Sequence, residues 1–140
     1  MRLPDLPAPA AAVSARIRDL IARYVPALAS HREPGLAAKR AGWLPVSFQL
    51  GGIFVLHPDG TVALLPFDPP YRVQPEDTPQ WHLLARVHAA RLYPELTDLL
   101  PVRTADAESC KGCGGAGQLQ VGSAAVDCFV CVGLGWLEPD

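Results

Sequence analysis

Cys110-Lys-Gly-Cys113-Gly-Gly115-Ala-Gly117 and Cys128-Phe-Val-Cys131-Val-Gly133-Leu-Gly135-Trp136 stand near the end of a 140-residue chain and hold all four of its cysteines. Each reads C-x-x-C-x-G-x-G, and the second copy follows the first by eighteen positions throughout (128 − 110). Thiolates suit zinc, which takes four ligands in a tetrahedron. A C-x-x-C turn converges two sulfurs on one ion while backbone N–H groups disperse their charge, and the glycines after each pair supply the positive-φ backbone that such a turn needs. The expected ligands are Cys110, Cys113, Cys128 and Cys131, holding one zinc ion per chain. Fourteen residues separate Cys113 from Cys128, just below the ~15–20 of two-knuckle zinc modules. Four cysteines leave no ligand position open, which favours a structural over a catalytic metal. Two rivals share these residues: a rubredoxin-like iron site, and a dithiol redox centre using the C-x-x-C pairs.

Between the knuckles, Gln118-Leu-Gln-Val121 alternates, and Ala124-Ala-Val126 can pair with it across Gly122-Ser123. Such a hairpin does not stand alone. Structural zinc supplies roughly 10–16 kcal/mol apparent in small peptides, so the tail is expected to fold with metal and loosen without it.

Composition adds limits. The chain is 49% hydrophobic and 19% charged, with a net charge of −2, which fits a globular domain with a core and provides no basic field for nucleic acid or anionic lipid. Residues 106–140 carry one base against five acids, net −4, and the remainder carries +2. No apolar run approaches the ~18 residues of a membrane span, and prolines and Asp5 interrupt the N-terminus, where a signal peptide would be apolar. A cytoplasmic protein is expected, in which paired C-x-x-C motifs are metal ligands rather than disulfides.

The fold class read from the chain is α+β: a small helix/β-hairpin/helix body, followed by a C-terminal zinc-ribbon-like β-hairpin module. Residues 1–9, with three prolines, read as a flexible arm, 10–104 as the body and 105–140 as the tetracysteine module. Val13, Ile17, Leu20, Ile21, Tyr24 and Leu28 recur at helical spacing, and Pro26 ends that helix near Tyr24. Pro34-Gly35 reads as a break, with Leu36–Trp43 a helical turn or loop. Val46–Leu50 alternates, while Ile53–Leu56 and Thr61–Leu65 are apolar runs separated by the turn string His57-Pro-Asp-Gly60. Gly51-Gly52 reads as a bulge or bend. Residues 66–79 read as an extended loop, and Thr78-Pro79 as an N-cap and first turn. The helix that follows has Trp81, Leu84, Val87, His88 and Leu92 on its apolar face. A second short helix spans 94–100. His82 and His88, six apart, do not share a helical face as a metal pair would, and read as ordinary boundary histidines.

The doubled C-x-x-C-x-G-x-G motif, with its aromatic ending at Trp136, resembles the repeat of the DnaJ-type cysteine-rich domain. In that family four repeats bind two zinc ions, each ion shared by two repeats. The resemblance therefore implies one zinc here, on Cys110, Cys113, Cys128 and Cys131. His57-Pro-Asp59 spells the J-domain tripeptide, but that motif lies between helices, and here strands flank it. A second resemblance, on Gly51-Gly-Ile-Phe-Val-Leu56 and Pro58-Asp-Gly-Thr-Val62, is to SUKH-type proteins, many of them bacterial immunity proteins.

The functional expectation is a non-enzymatic zinc protein whose module serves structure or protein–protein interaction, with a chaperone-like or adaptor role and Leu119, Val121, Phe129 and Trp136 exposed for packing or for a partner. One alternative is a nucleic-acid-binding zinc ribbon, which the acidic tail disfavours. The other is a thiol–disulfide oxidoreductase, the one specific enzymatic candidate.

Overall fold

The computed structural model describes residues 1–49 and 51–140; Leu50, the end of the alternating run read from Val46, lies outside them. The fold is α+β, as read from the sequence. Its contacts divide into two units, Ala8–Leu99 and Met1–Pro7 with Leu100–Asp140.

The first unit is built on a four-stranded antiparallel meander, β1 (Leu44–Phe48), β2 (Gly52–Leu56), β3 (Val62–Pro66) and β4 (Gln74–Pro75), in that spatial order. The expected hairpin is its centre, with Leu56 opposite Val62 and Gly52 opposite Pro66. Helix α1 (Ala11–Arg23) buries Val13, Ile17 and Leu20, and stops ahead of Pro26. Together with α3 (Pro79–Leu92) it encloses a core that includes Val46, Phe54, Leu56, Val62, Leu96 and Leu99. The alternate residues Ile53, Val55, Ala63 and Leu65 form a second core with Ala38 of α2 (Arg32–Arg40). A sheet covered on both faces reads as continuous rather than alternating apolar sequence, which explains the runs at 53–56 and 61–65.

Several local readings change. Pro34-Gly35 lies inside α2 instead of breaking the chain. Pro34 is in the first turn, where its missing N–H has no intrahelical acceptor to lose. Gly35 admits the Tyr24 ring, whose hydroxyl would lie 3.1 Å from any β-carbon there. The chain bends at Gly51, whereas the register irregularity falls between Pro45 and Ser47. Thr78 precedes α3, but its side chain makes no capping bond; Pro79 supplies the start. The buried face of α3 runs through Leu83, Leu84 and Val87, leaving Trp81 and Leu92 exposed. The second short helix is a 3-10 helix, Pro94–Leu99.

The expected boundaries also shift. The unit that holds the cysteines begins at Leu100, and residues 1–7 belong to it rather than forming an unattached arm. Arg2 and Glu138 exchange backbone hydrogen bonds of 2.9 Å in both directions. Their side chains pair at 3.3 Å. The prolines at 4, 7 and 9 remove their own donors but leave that of Arg2 in place.

Candidate metal centre

The four cysteines converge. The Sγ atoms of Cys110, Cys113, Cys128 and Cys131 all lie within 4.8 Å of one another. Cys110 is 3.8 Å from Cys128, and Cys113 is 3.7 Å from Cys131. A disulfide needs about 2.05 Å, so these are free thiols. A tetrahedron with metal–sulfur bonds of about 2.3 Å has edges of about 3.8 Å, and the Cys110–Cys128 and Cys113–Cys131 separations match it. The donor set and its dimensions therefore fit one tetrahedral metal ion.

Each knuckle is made the same way. The Gly117 N–H donates to Cys113 Sγ at 3.2 Å, and eighteen residues later the Gly135 N–H donates to Cys131 Sγ at 3.2 Å. Backbone bonds then cross between the repeats: Cys128 N–H to the Gly117 carbonyl at 3.0 Å and Cys110 N–H to the Gly135 carbonyl at 2.9 Å. The two repeats thus form a pseudo-twofold pair around the sulfurs. The glycine spacing follows from this packing. A β-carbon on Gly117 would sit 2.5 Å from the Gly133 oxygen, and one on Gly135 would sit 2.7 Å from the Gly115 oxygen.

The repeats differ at their four variable positions, Lys111/Phe129, Gly112/Val130, Gly114/Val132 and Ala116/Leu134, and at one of them a glycine in the left-handed region is replaced. Val132 takes the place of Gly114 and keeps its left-handed backbone, φ 56° against 66°. A β-branched residue is an outlier there, held by its burial.

Short pairings close the site. Strand β5 (Glu108–Ser109) pairs with β8 (Trp136–Leu137), bringing Cys110 beside the end of the second repeat. Leu3, Leu134 and Leu137 pack on the cysteines. Two-residue strands carry no periodic signal, which is why sequence patterning missed them. Trp136, expected to be exposed, is buried; Leu119, Val121 and Phe129 are exposed.

The thiols differ electrostatically without metal. Burial pushes Cys110 up, and burial raises Cys131 to about 12 against the opposing Gly135 N–H. At Cys113 burial also acts upward, but the N–H groups of Gly117 and Gly115 and the neighbouring thiols outweigh it and bring the group down to about 7. Cys113 is also the one cysteine of the four that is not fully buried.

The histidines lie elsewhere. The His82 Nε2 bonds the Gly60 carbonyl at 3.1 Å, and the His88 Nδ1 bonds the Ser47 hydroxyl. His57-Pro-Asp-Gly60 is the β2–β3 turn: the Gly60 N–H reaches the His57 carbonyl at 2.9 Å, and the Thr61 N–H reaches Asp59 Oδ1 at 2.8 Å. Among the described residues no helix is long and apolar enough to cross a membrane.

Comparison with protein-family models, with curated proteins and with solved structures returned no match.

Proposed function

We propose that the tail binds one zinc ion through Cys110, Cys113, Cys128 and Cys131, and that the resulting module serves a non-enzymatic role in protein–protein interaction. The observation that carries this reading is the convergence of the four sulfurs within 4.8 Å, two of their separations at the edge length of a zinc tetrahedron, with N–H donors on Cys113 and Cys131. A site closed by four thiolates leaves no place for a water-bearing catalytic metal. The doubled C-x-x-C-x-G-x-G motif supports the same ligand set by its DnaJ-type resemblance. An interaction role is supported by the apolar side chains that the module leaves in solvent, Phe129 at 80% and Val121 at 62% exposure. Nucleic acid is a poor partner for a segment with net charge −4 over residues 106–140, because phosphate contacts need Lys or Arg.

Metal analysis of the purified chain tests the first half. The expected result is one zinc per chain, colourless in the visible and lost in Cys110→Ser. A visible thiolate-to-metal band with iron in its place would replace zinc by iron. Less than about half an equivalent of any metal would end the reading. Capture of partners from native extract, with wild type against Cys110→Ser, tests the second half: partners that depend on the metal are expected. An insulin-reduction assay on metal-free protein separates the oxidoreductase alternative, and no turnover is expected.

A further inference from the structure

The hairpin between the knuckles is anomalous for a folded protein. Strand β6 (Gln118–Val121) pairs with β7 (Ala124–Asp127) and with no other described strand. Every residue of β6 is exposed, as are Ala124, Ala125 and Val126 of β7. Its register puts Leu119 opposite Val126 and Val121 opposite Ala124. Alternation places those four side chains on one face and Gln118, Gln120, Ala125 and Asp127 on the other. The ribbon is thus amphipathic, yet Leu119, Val121 and Val126 remain 38%, 62% and 37% exposed.

Its edges are also unguarded. Folded proteins blunt open strand edges with lysine, proline, bulges or a covering element. Residues 118–126 contain no proline and no charged side chain, and the register runs without irregularity from Gln118 to Val121. The surrounding unit is acidic: residues 1–7 and 100–140 hold three bases and six acids, net −3. A zinc tetrathiolate adds −2.

We propose that the β6–β7 ribbon is a docking edge for an extended polypeptide segment of another protein, which adds as a further strand, sets alternate apolar side chains beside Leu119, Val121 and Val126, and carries Lys or Arg at its flanks. The proposal rests on the zinc-module reading, since the metal holds the ribbon's two ends. Charge selects the partner. A second copy would bring a like-charged unit against this one, while a basic segment gains attraction outside an apolar, uncharged contact. Main-chain bonds along the edge give affinity, and alternate side chains give selectivity.

The test uses the full zinc-loaded chain and a fluorescent peptide of alternating valine and threonine with two lysines at each end, followed by anisotropy. Three controls accompany it: the same peptide with glutamate flanks, the same peptide N-methylated on alternate residues, and the chain carrying Leu119→Thr with Val121→Thr. Binding of the lysine peptide is expected, weakened about tenfold or more by each control, with the threonine variant keeping its full zinc content. Undetectable binding at several hundred micromolar peptide would overturn the proposal. So would equal binding of the lysine and glutamate peptides, undiminished binding of the N-methylated peptide, or undiminished binding to the threonine variant. Concentration-dependent dimerisation in sedimentation that the threonine variant abolishes would make a second copy the occupant and overturn it as well. Failure here with one zinc per chain and metal-dependent partner capture leaves the zinc-module reading standing. Absence of metal removes both.

Discussion

Gly117 passes so close to Gly133 that a β-carbon on the first would lie 2.5 Å from the carbonyl oxygen of the second. That contact and its counterpart between Gly135 and Gly115 pin the two repeats back to back, with φ of 80° at Gly117 and 93° at Gly135. Alanine at either position meets both a left-handed cost of about 1–2 kcal/mol and a clash with rigid backbone. Gly117→Ala and Gly135→Ala are expected to weaken zinc retention by an order of magnitude or more in a chelator competition. Gly122→Asn is the control. Its φ is +64° but nothing lies within 4 Å, and asparagine tolerates that conformation, so zinc retention should match wild type.

Metal removal should act on the cysteine-bearing unit and spare the sheet. The two cores of the Ala8–Leu99 unit contain no cysteine. The ribbon and the two-residue β5–β8 pair are too small to persist without a staple. Chelation, or Cys128→Ser, should therefore collapse amide dispersion for residues 100–140 in a nitrogen–proton correlation spectrum and leave residues 11–99 in place. Loss of dispersion throughout would show that the sheet also depends on the metal.

Val132 sets burial against backbone strain. At φ 56° it bears a left-handed cost of about 1–2 kcal/mol, while burying a valine contributes about 1.5–3 kcal/mol. Val132→Ala gives up much of the burial and keeps the strain. Val132→Gly gives up slightly more burial and removes the strain. Glycine should therefore be the milder substitution, by about 1 kcal/mol, in chelator-driven unfolding. If burial alone governed the site, alanine would be milder.

The legible parts of this chain are those with a repeating or chemical signature. Cysteine spacing brought out the convergence of all four sulfurs because it needs only two tight turns, and the turn at His57–Gly60 was marked by residues that suit its backbone. The α1 stripe of Val13, Ile17 and Leu20 emerged because one face is buried. Where burial is two-sided, as at Ile53–Leu56, alternation vanishes and the sheet's full width cannot be read. Pro34-Gly35 misled because a proline in a first turn and a glycine under Tyr24 look the same in sequence as a break. The pairing of Arg2 with Glu138 spans 136 positions and leaves no local trace.

The turn that resembles a J-domain tripeptide is held from α3. The Arg86 guanidinium donates to the Gly60 carbonyl at 3.3 Å and to the Leu99 carbonyl at 3.2 Å, and His82 donates to the same Gly60 oxygen. Arg86 is buried. Arg86→Ala is expected to cost about 2–3 kcal/mol, because buried carbonyls lose a charged donor. Arg86→Lys should fall between, since one ammonium cannot reproduce the fork. Urea unfolding measures both, and zinc content should not change.

His82 adds a pH dependence of known sign. Burial holds its imidazole below the usual 6.5, and the Gly60 carbonyl opposes that shift without overcoming it. As pH falls below 6.5 the unfolded chain takes up this proton first, while the folded chain takes it only at lower pH. Across that window the unfolded state binds more protons, so stability drops as pH falls and is restored as pH rises. His82→Gln removes the titration yet leaves an N–H donor for Gly60. Urea midpoints at pH 7.5 and 5.5 should fall further in wild type than in His82→Gln. Parallel losses would assign the slope to other groups, whereas a smaller loss in the variant places it on the ring that donates to the hairpin turn.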